Sequence, residues 1–110
     1  MSVPPAALVV LCTCPDRVTA ERLARAAVSA GLAACVNILP GLTSIYRWQG
    51  AIECAEEVLL LAKTTLAVYP QLEALWRAQH PYELPEVLAV PVTIGSEPYV
   101  QWLSDALARS

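Results

Sequence analysis

One histidine and four cysteines carry most of the chemistry open to this chain. His80 stands directly before Pro81, and the thiols are Cys12, Cys14, Cys35 and Cys54. A thiolate and an imidazole make a good ligand set for copper or zinc. The cysteines form no C-x-x-C pair, and a C-x-C pair alone is a weak metal signal. All four stand in apolar, strand-like segments, where a free thiol packs as a small hydrophobe. That is the reading for Cys14, Cys35 and Cys54. For His80 the plain alternative is a hydrogen bond at a helix end. A Cys12–His80 nucleophile pair has no orienting or oxyanion group identifiable in the sequence.

A second set is charged and aromatic. Glu53, Glu57 and Lys63 share one face of the stretch 51–65. Lys63 ends an apolar run and needs a partner, either a carboxylate across a subunit boundary or an anionic ligand. Tyr82 lies two residues after His80, with Glu83 and Glu86 beyond it. A cleft joining His80 and Lys63 is one arrangement that the spacing leaves open. Trp48 precedes a Gln49-Gly50 turn and is expected to pack into a neighbouring subunit, with ligand stacking as the alternative.

The elements that must position these groups read in order. Ala6 to Thr13 is a strand apolar on both faces, broken at Cys14-Pro15-Asp16. Asp16 caps a helix running to about Ala30, with Val18, Leu23, Ala26, Ala27 and Ala30 as its apolar stripe and Gly31 as its left-handed stop. Leu32 to Trp48 is extended, with a bulge or bend at Pro40-Gly41. Gln49-Gly50 turns it into a hairpin with 51–65. From Val58 to Ala62 both faces of that second strand are apolar, so both must be covered. These strands are long enough for a hairpin arm to reach beyond the core. Pro70 opens a second helix, which Pro81 ends. Leu84 to Ile94 reads as a further strand. A last helix follows Ser96, with Tyr99, Trp102, Leu103, Ala106 and Leu107 on its apolar face.

The order β-α-β-β-α-β with an added C-terminal helix predicts an α+β, ferredoxin-like antiparallel sheet in one domain over residues 1–110. The apolar fraction is 56% and the charged fraction 15%. A soluble domain has about 45–50% and about 25%. A domain of this size cannot hide that excess in its own core, so a subunit interface is expected. No stretch reaches the roughly 18 apolar residues of a membrane span. The net charge of −3 and the lack of a basic run argue against nucleic acid. Met1 to Pro5 lacks the basic start of a signal peptide, and the cytoplasm is the expected compartment.

Leu11-Cys-Thr-Cys-Pro-Asp16, Leu32-Ala-Ala-Cys-Val-Asn-Ile-Leu-Pro-Gly41, Thr43-Ser-Ile-Tyr-Arg-Trp48, Leu61-Ala-Lys-Thr-Thr65, His80-Pro-Tyr82 and Tyr99-Val-Gln-Trp-Leu103 together resemble the CutA divalent-cation tolerance family. The likeness runs from about Leu8 to Leu107, in the same order and spacing. It implies a ferredoxin-like fold, a tight homotrimer, kinship in shape with the PII signalling trimers, and a link to copper and other divalent ions. It further implies a copper site with a cysteine at Cys12 and two histidines before Pro-Tyr. Here that pair reads Gln79-His80, which leaves Cys12 and His80 as the implied ligands and predicts weak binding. Two functions are therefore weighed. One is a trimeric metal-binding or metal-responsive protein. The other is a trimeric signalling scaffold that binds a small ligand or a protein partner. No enzyme motif is present.

Overall fold

The computed structural model describes residues 6–108. The N-terminal reading at Met1 to Pro5 lies outside the described residues. The chain folds as β1 (Ala7–Cys14), α1 (Arg17–Ser29), β2 (Cys35–Trp48), β3 (Ala51–Thr65), α2 (Tyr69–Gln79), β4 (Leu88–Pro91) and α3 (Glu97–Asp105). The four strands form one antiparallel sheet in the order β2-β3-β1-β4, the split βαβ arrangement.

Strand alternation sorts the side chains onto two faces. Val10, Cys12 and Cys14 of β1 and Leu60, Ala62 and Thr64 of β3 are fully buried. They form the core with Leu23 and Ala27 of α1 and Leu72 and Trp76 of α2. The opposite face carries Val9 and Leu11, Leu59 and Leu61, which are only half-buried. On the flanking strands, Leu39, Leu88 and Val90 are 41%, 61% and 51% exposed. The apolar character of both faces, legible in 58–62, thus meets helices on one side only.

The expected bulge is present. Leu39 pairs with Leu59 and Leu42 with Glu57, so Pro40 and Gly41 together oppose Val58. Gly41 takes φ +82°, which glycine adopts without steric cost. One extra residue reverses which face each side chain takes. Beyond the bulge Leu42, Ser44, Tyr46 and Trp48 therefore share a face with Glu57, Leu59 and Leu61. The hairpin closes through Gln49 at φ 49° and Gly50 at φ 83°, the two positive φ values a type I′ turn needs. The arm projects well past the core, and the molecule measures 53 × 25 × 22 Å.

Asp16 caps α1, its Oδ1 accepting from the Thr19 backbone N–H at 2.8 Å. That bond holds its carboxyl below the ordinary value of 3.8. A folded-state value below the unfolded one contributes stability that is present above the unfolded pKa and lost as pH falls through the folded value. Asp16→Ala should therefore reduce the dependence of stability on pH below about pH 4. Denaturant unfolding of both proteins across that range checks it. An unchanged slope would mean that the cap adds nothing in acid.

Several expectations change. The buried stripe of α1 is Ala20, Leu23, Ala24 and Ala27, while Val18 is 79% exposed. Ala30 is exposed too, because α1 has ended before it. The fourth strand is only four residues long. It is an edge strand whose last residue, Pro91, gives no ladder donor, and it pairs with β1 from Leu8 to Leu11 alone. Ser96 caps α3 by position without a side-chain hydrogen bond. Tyr99 and Trp102 are about half exposed, which leaves Leu103 and Leu107 to face the core. Cys54 is exposed rather than buried, because it lies on the arm beyond the helices.

Candidate metal centre and adjoining cleft

Pro81 shapes the histidine's position. A residue before proline is driven out of the helical region, and His80 sits at φ −76°, ψ 139° just past the end of α2. Its backbone N–H still donates to the Trp76 carbonyl at 2.9 Å, but its ring turns inward against the end of β1. His80 is buried there, as are Cys12 and Cys14.

The Cys12 and Cys14 thiols and an imidazole nitrogen of His80 all lie within 4.8 Å of one another. Two of these groups were anticipated. Cys14 is the addition, since the sequence alone reads it as a packed thiol. The signal lay in the strand period, since residues i and i+2 of a strand share a face and C-x-C on β1 presents both thiols to the same point.

The two thiols do not titrate alike. The Cys14 thiol sits below its ordinary value because the Cys12 thiol supports its thiolate. That same interaction holds the Cys12 thiol far above its ordinary value, with burial and the charges of Glu86 and Glu57 adding to the effect.

Both nitrogens of His80 are engaged. The Tyr82 backbone N–H donates to Nδ1 at 3.1 Å, so Nδ1 is the unprotonated nitrogen. Nε2 then carries the proton and donates it to the Thr13 carbonyl at 2.8 Å. The plain expectation of a hydrogen-bonded histidine at a helix end is met in full. For His80 to ligate a metal, one of these two bonds must open. Gln79 points outward, and its backbone carbonyl accepts from Arg22 at 3.1 Å.

The Tyr82 ring lies 4.6 Å from the His80 ring, and its hydroxyl donates to Glu57 Oε2 at 2.7 Å. Desolvation, followed by the Glu57 carboxylate, drives the Tyr82 phenol well above its ordinary value, so it stays a donor. This contact ties the segment after α2 to the base of the hairpin arm. Between them lies an open cleft of about 610 Å³. Glu57, Tyr82 and Trp48 all line it. Lys63 does not. It bonds to the Asn37 side-chain carbonyl at the other end of β3, about 20 Å along the strand from Glu57. The cleft joining His80 and Lys63 that the spacing leaves open does not form among the described residues, because a shared face does not bring together residues six positions apart.

Comparison with known proteins agrees with this architecture. Residues 8–106 match the family model described as CutA1 divalent ion tolerance protein. The divalent-cation tolerance protein CutA of Thermus thermophilus is 50% identical over 97 residues, which are 88% of this chain and 94% of that protein. The solved structure of CutA1 from Oryza sativa superposes with a TM-score of 0.95 at 38% identity, covering 99% of this chain and all of the other. That of the divalent cation tolerance protein from Thermus thermophilus gives 0.91 at 47% identity, covering 93% and 99%. With sequence, fold and strand order in agreement over nearly its whole length, the chain belongs to the CutA1 divalent ion tolerance family.

Proposed function

We propose that this protein is a homotrimeric, metal-responsive tolerance protein that binds copper or a similar soft cation at Cys12, Cys14 and His80. The observation that supports this most directly is the convergence of three ligand atoms within 4.8 Å, all on buried residues. Two thiols and one imidazole suit copper or zinc rather than magnesium or calcium. Cys14 takes the place that Gln79 leaves vacant in the ligand set implied for the family. Binding is weak, because the ion must displace the Cys12 proton and open one of the two His80 hydrogen bonds. It is not needed for folding, since the core of β1, β3, α1 and α2 is apolar without it. The uncovered apolar face of the sheet supports assembly into a trimer. Four free thiols suit a reducing compartment, and we place the protein in the cytoplasm.

The test is a competition titration with zinc, and with copper(I) held by a chelator. Cys12→Ser, Cys14→Ser and His80→Ala should each weaken binding by at least about tenfold. Affinity should fall as pH drops, because protons compete for the thiols and the imidazole. Unchanged affinity in Cys14→Ser and His80→Ala would discard the site. A second reading, a signalling scaffold of PII-like shape, is favoured by the saturated hydrogen bonding of His80. It would take over on that result.

A further inference from the structure

The segment that follows His80 is held by very few bonds. Among the described residues, no backbone–backbone hydrogen bond involves Pro81 to Glu86. Their amides and side chains make two hydrogen bonds among the described residues, and both belong to Tyr82. Its N–H donates to His80 Nδ1 at 3.1 Å, and its hydroxyl donates to Glu57 Oε2 at 2.7 Å. The segment is therefore tied to the metal cluster at one end and to the base of the hairpin arm at the other. It passes the outer edge of β1 where no strand lies beside it, since β4 pairs with β1 only as far as Leu11. That path takes it from the side of Cys12 and Cys14 to the opposite face, where Glu57 lies.

A neutral imidazole has one N–H and one free lone pair. In His80 that lone pair, on Nδ1, is taken by the Tyr82 N–H. A metal bound at Nδ1 displaces this donor directly. A metal bound at Nε2 displaces the Nε2 proton, and the ring stays neutral by carrying a proton on Nδ1 instead. Two N–H groups then face each other at Nδ1. On either nitrogen, ligation leaves the Tyr82 N–H without its acceptor. We propose, on the basis of the metal site put forward above, that residues 80–86 are a strap that responds to that site. When His80 takes an ion, the Tyr82 N–H is expelled and the Tyr82 hydroxyl leaves Glu57. The tyrosine ring is rigid and lies 4.6 Å from the His80 ring, so a shift of its backbone is carried through to its hydroxyl. Coupling of this kind is reciprocal: the bond to Glu57 opposes metal binding as much as metal binding opposes the bond.

The experiment uses zinc, which has no redox chemistry, on the full-length protein in its native assembly. Tyr82→Phe removes the bond to Glu57 and leaves Cys12, Cys14 and His80 in place. It should raise zinc affinity roughly three- to tenfold, the worth of one hydrogen bond that no longer opposes binding. A side chain that merely supported the site would lower the affinity when truncated. Amide hydrogen exchange followed by NMR reads the strap in the wild type, and it decides the matter if Tyr82→Phe fails to fold. Saturating zinc should speed exchange of the Tyr82 amide about tenfold or more. The His80 amide, bound to the Trp76 carbonyl at 2.9 Å, should keep its rate, which separates release of the strap from loosening of α2. Unchanged exchange at Tyr82 with zinc bound would overturn the strap and leave the metal site standing. So would equal or lower affinity in Tyr82→Phe. Zinc binding that ignores Cys14→Ser and His80→Ala would discard the metal site and the strap with it.

Discussion

Trp76→Ala is expected to destabilise the protein by about 3–5 kcal/mol, the largest effect of any single truncation in the core. Trp76 is fully buried and is the largest such side chain described. It fixes α2 to α1 in two ways. Its ring fills the space between the helices and the sheet, and its Nε1–H donates to the Leu23 carbonyl of α1 at 3.0 Å. Alanine leaves a cavity that Leu72 and Leu23, each with fixed neighbours, cannot fill. Trp76→Phe keeps most of the contact area and loses only the donor, so its cost should be clearly smaller. Denaturant unfolding at one fixed subunit concentration measures both, since assembly would otherwise shift the apparent stability. If alanine costs under about 1 kcal/mol, the two helices are not locked by this residue.

Leu61→Asp should break the assembly while leaving the fold of each chain intact. Leu61 lies near the middle of the face that no helix of this chain covers, opposite Leu11 on one side and Asn37 on the other. Among exposed surfaces a contiguous apolar face of this kind marks a contact with another molecule. A closed ring of copies covers each face with its neighbours'. A carboxylate placed there would be buried without a partner at every subunit, at a cost of several kcal/mol each. Light scattering at micromolar concentration should therefore give a trimer for the wild type and a monomer for the variant, with matching helical circular dichroism. A variant that stays trimeric would move the interface to another surface, with the hairpin arm and Trp48 as the first alternative.

These two outcomes bear on the metal and the cleft in different ways. The Cys12, Cys14 and His80 cluster lies on the helix side of the sheet and is complete within one chain. If the cluster binds metal as proposed, it should do so equally in the Leu61→Asp variant and in the wild type. Trp76, by contrast, sits one turn before His80, and its loss should loosen the ring's place against β1 as well as the helix. Metal affinity is thus expected to follow Trp76 more closely than Leu61.

Much of this architecture follows from the sequence alone, because it depends on local rules. Proline at 70 and 81 bounds α2, Asp16 and Gly31 bound α1, and Pro40-Gly41 and Gln49-Gly50 mark the bulge and the turn. Each acts through its own backbone angles or missing donor, so each can be recognised without knowing its neighbours. The doubly apolar run at 58–62 likewise announces a strand with two faces to cover. What could not be read were the contacts that join distant segments. Cys14 looked like packing because nothing in 12–14 tells that residue 80 will meet it. Lys63 and Glu57 seemed able to share a site because a period-2 pattern gives the face and not the distance. The bond from Tyr82 to Glu57 closes a gap of 25 positions in the chain. It depends on where β3 leaves the core and where the segment after α2 crosses it. Strand period, capping and turn chemistry are properties of a few successive residues. Which thiol meets the imidazole, and which carboxylate meets the Tyr82 hydroxyl, is decided only when the sheet, its bulge and the two helices are packed together.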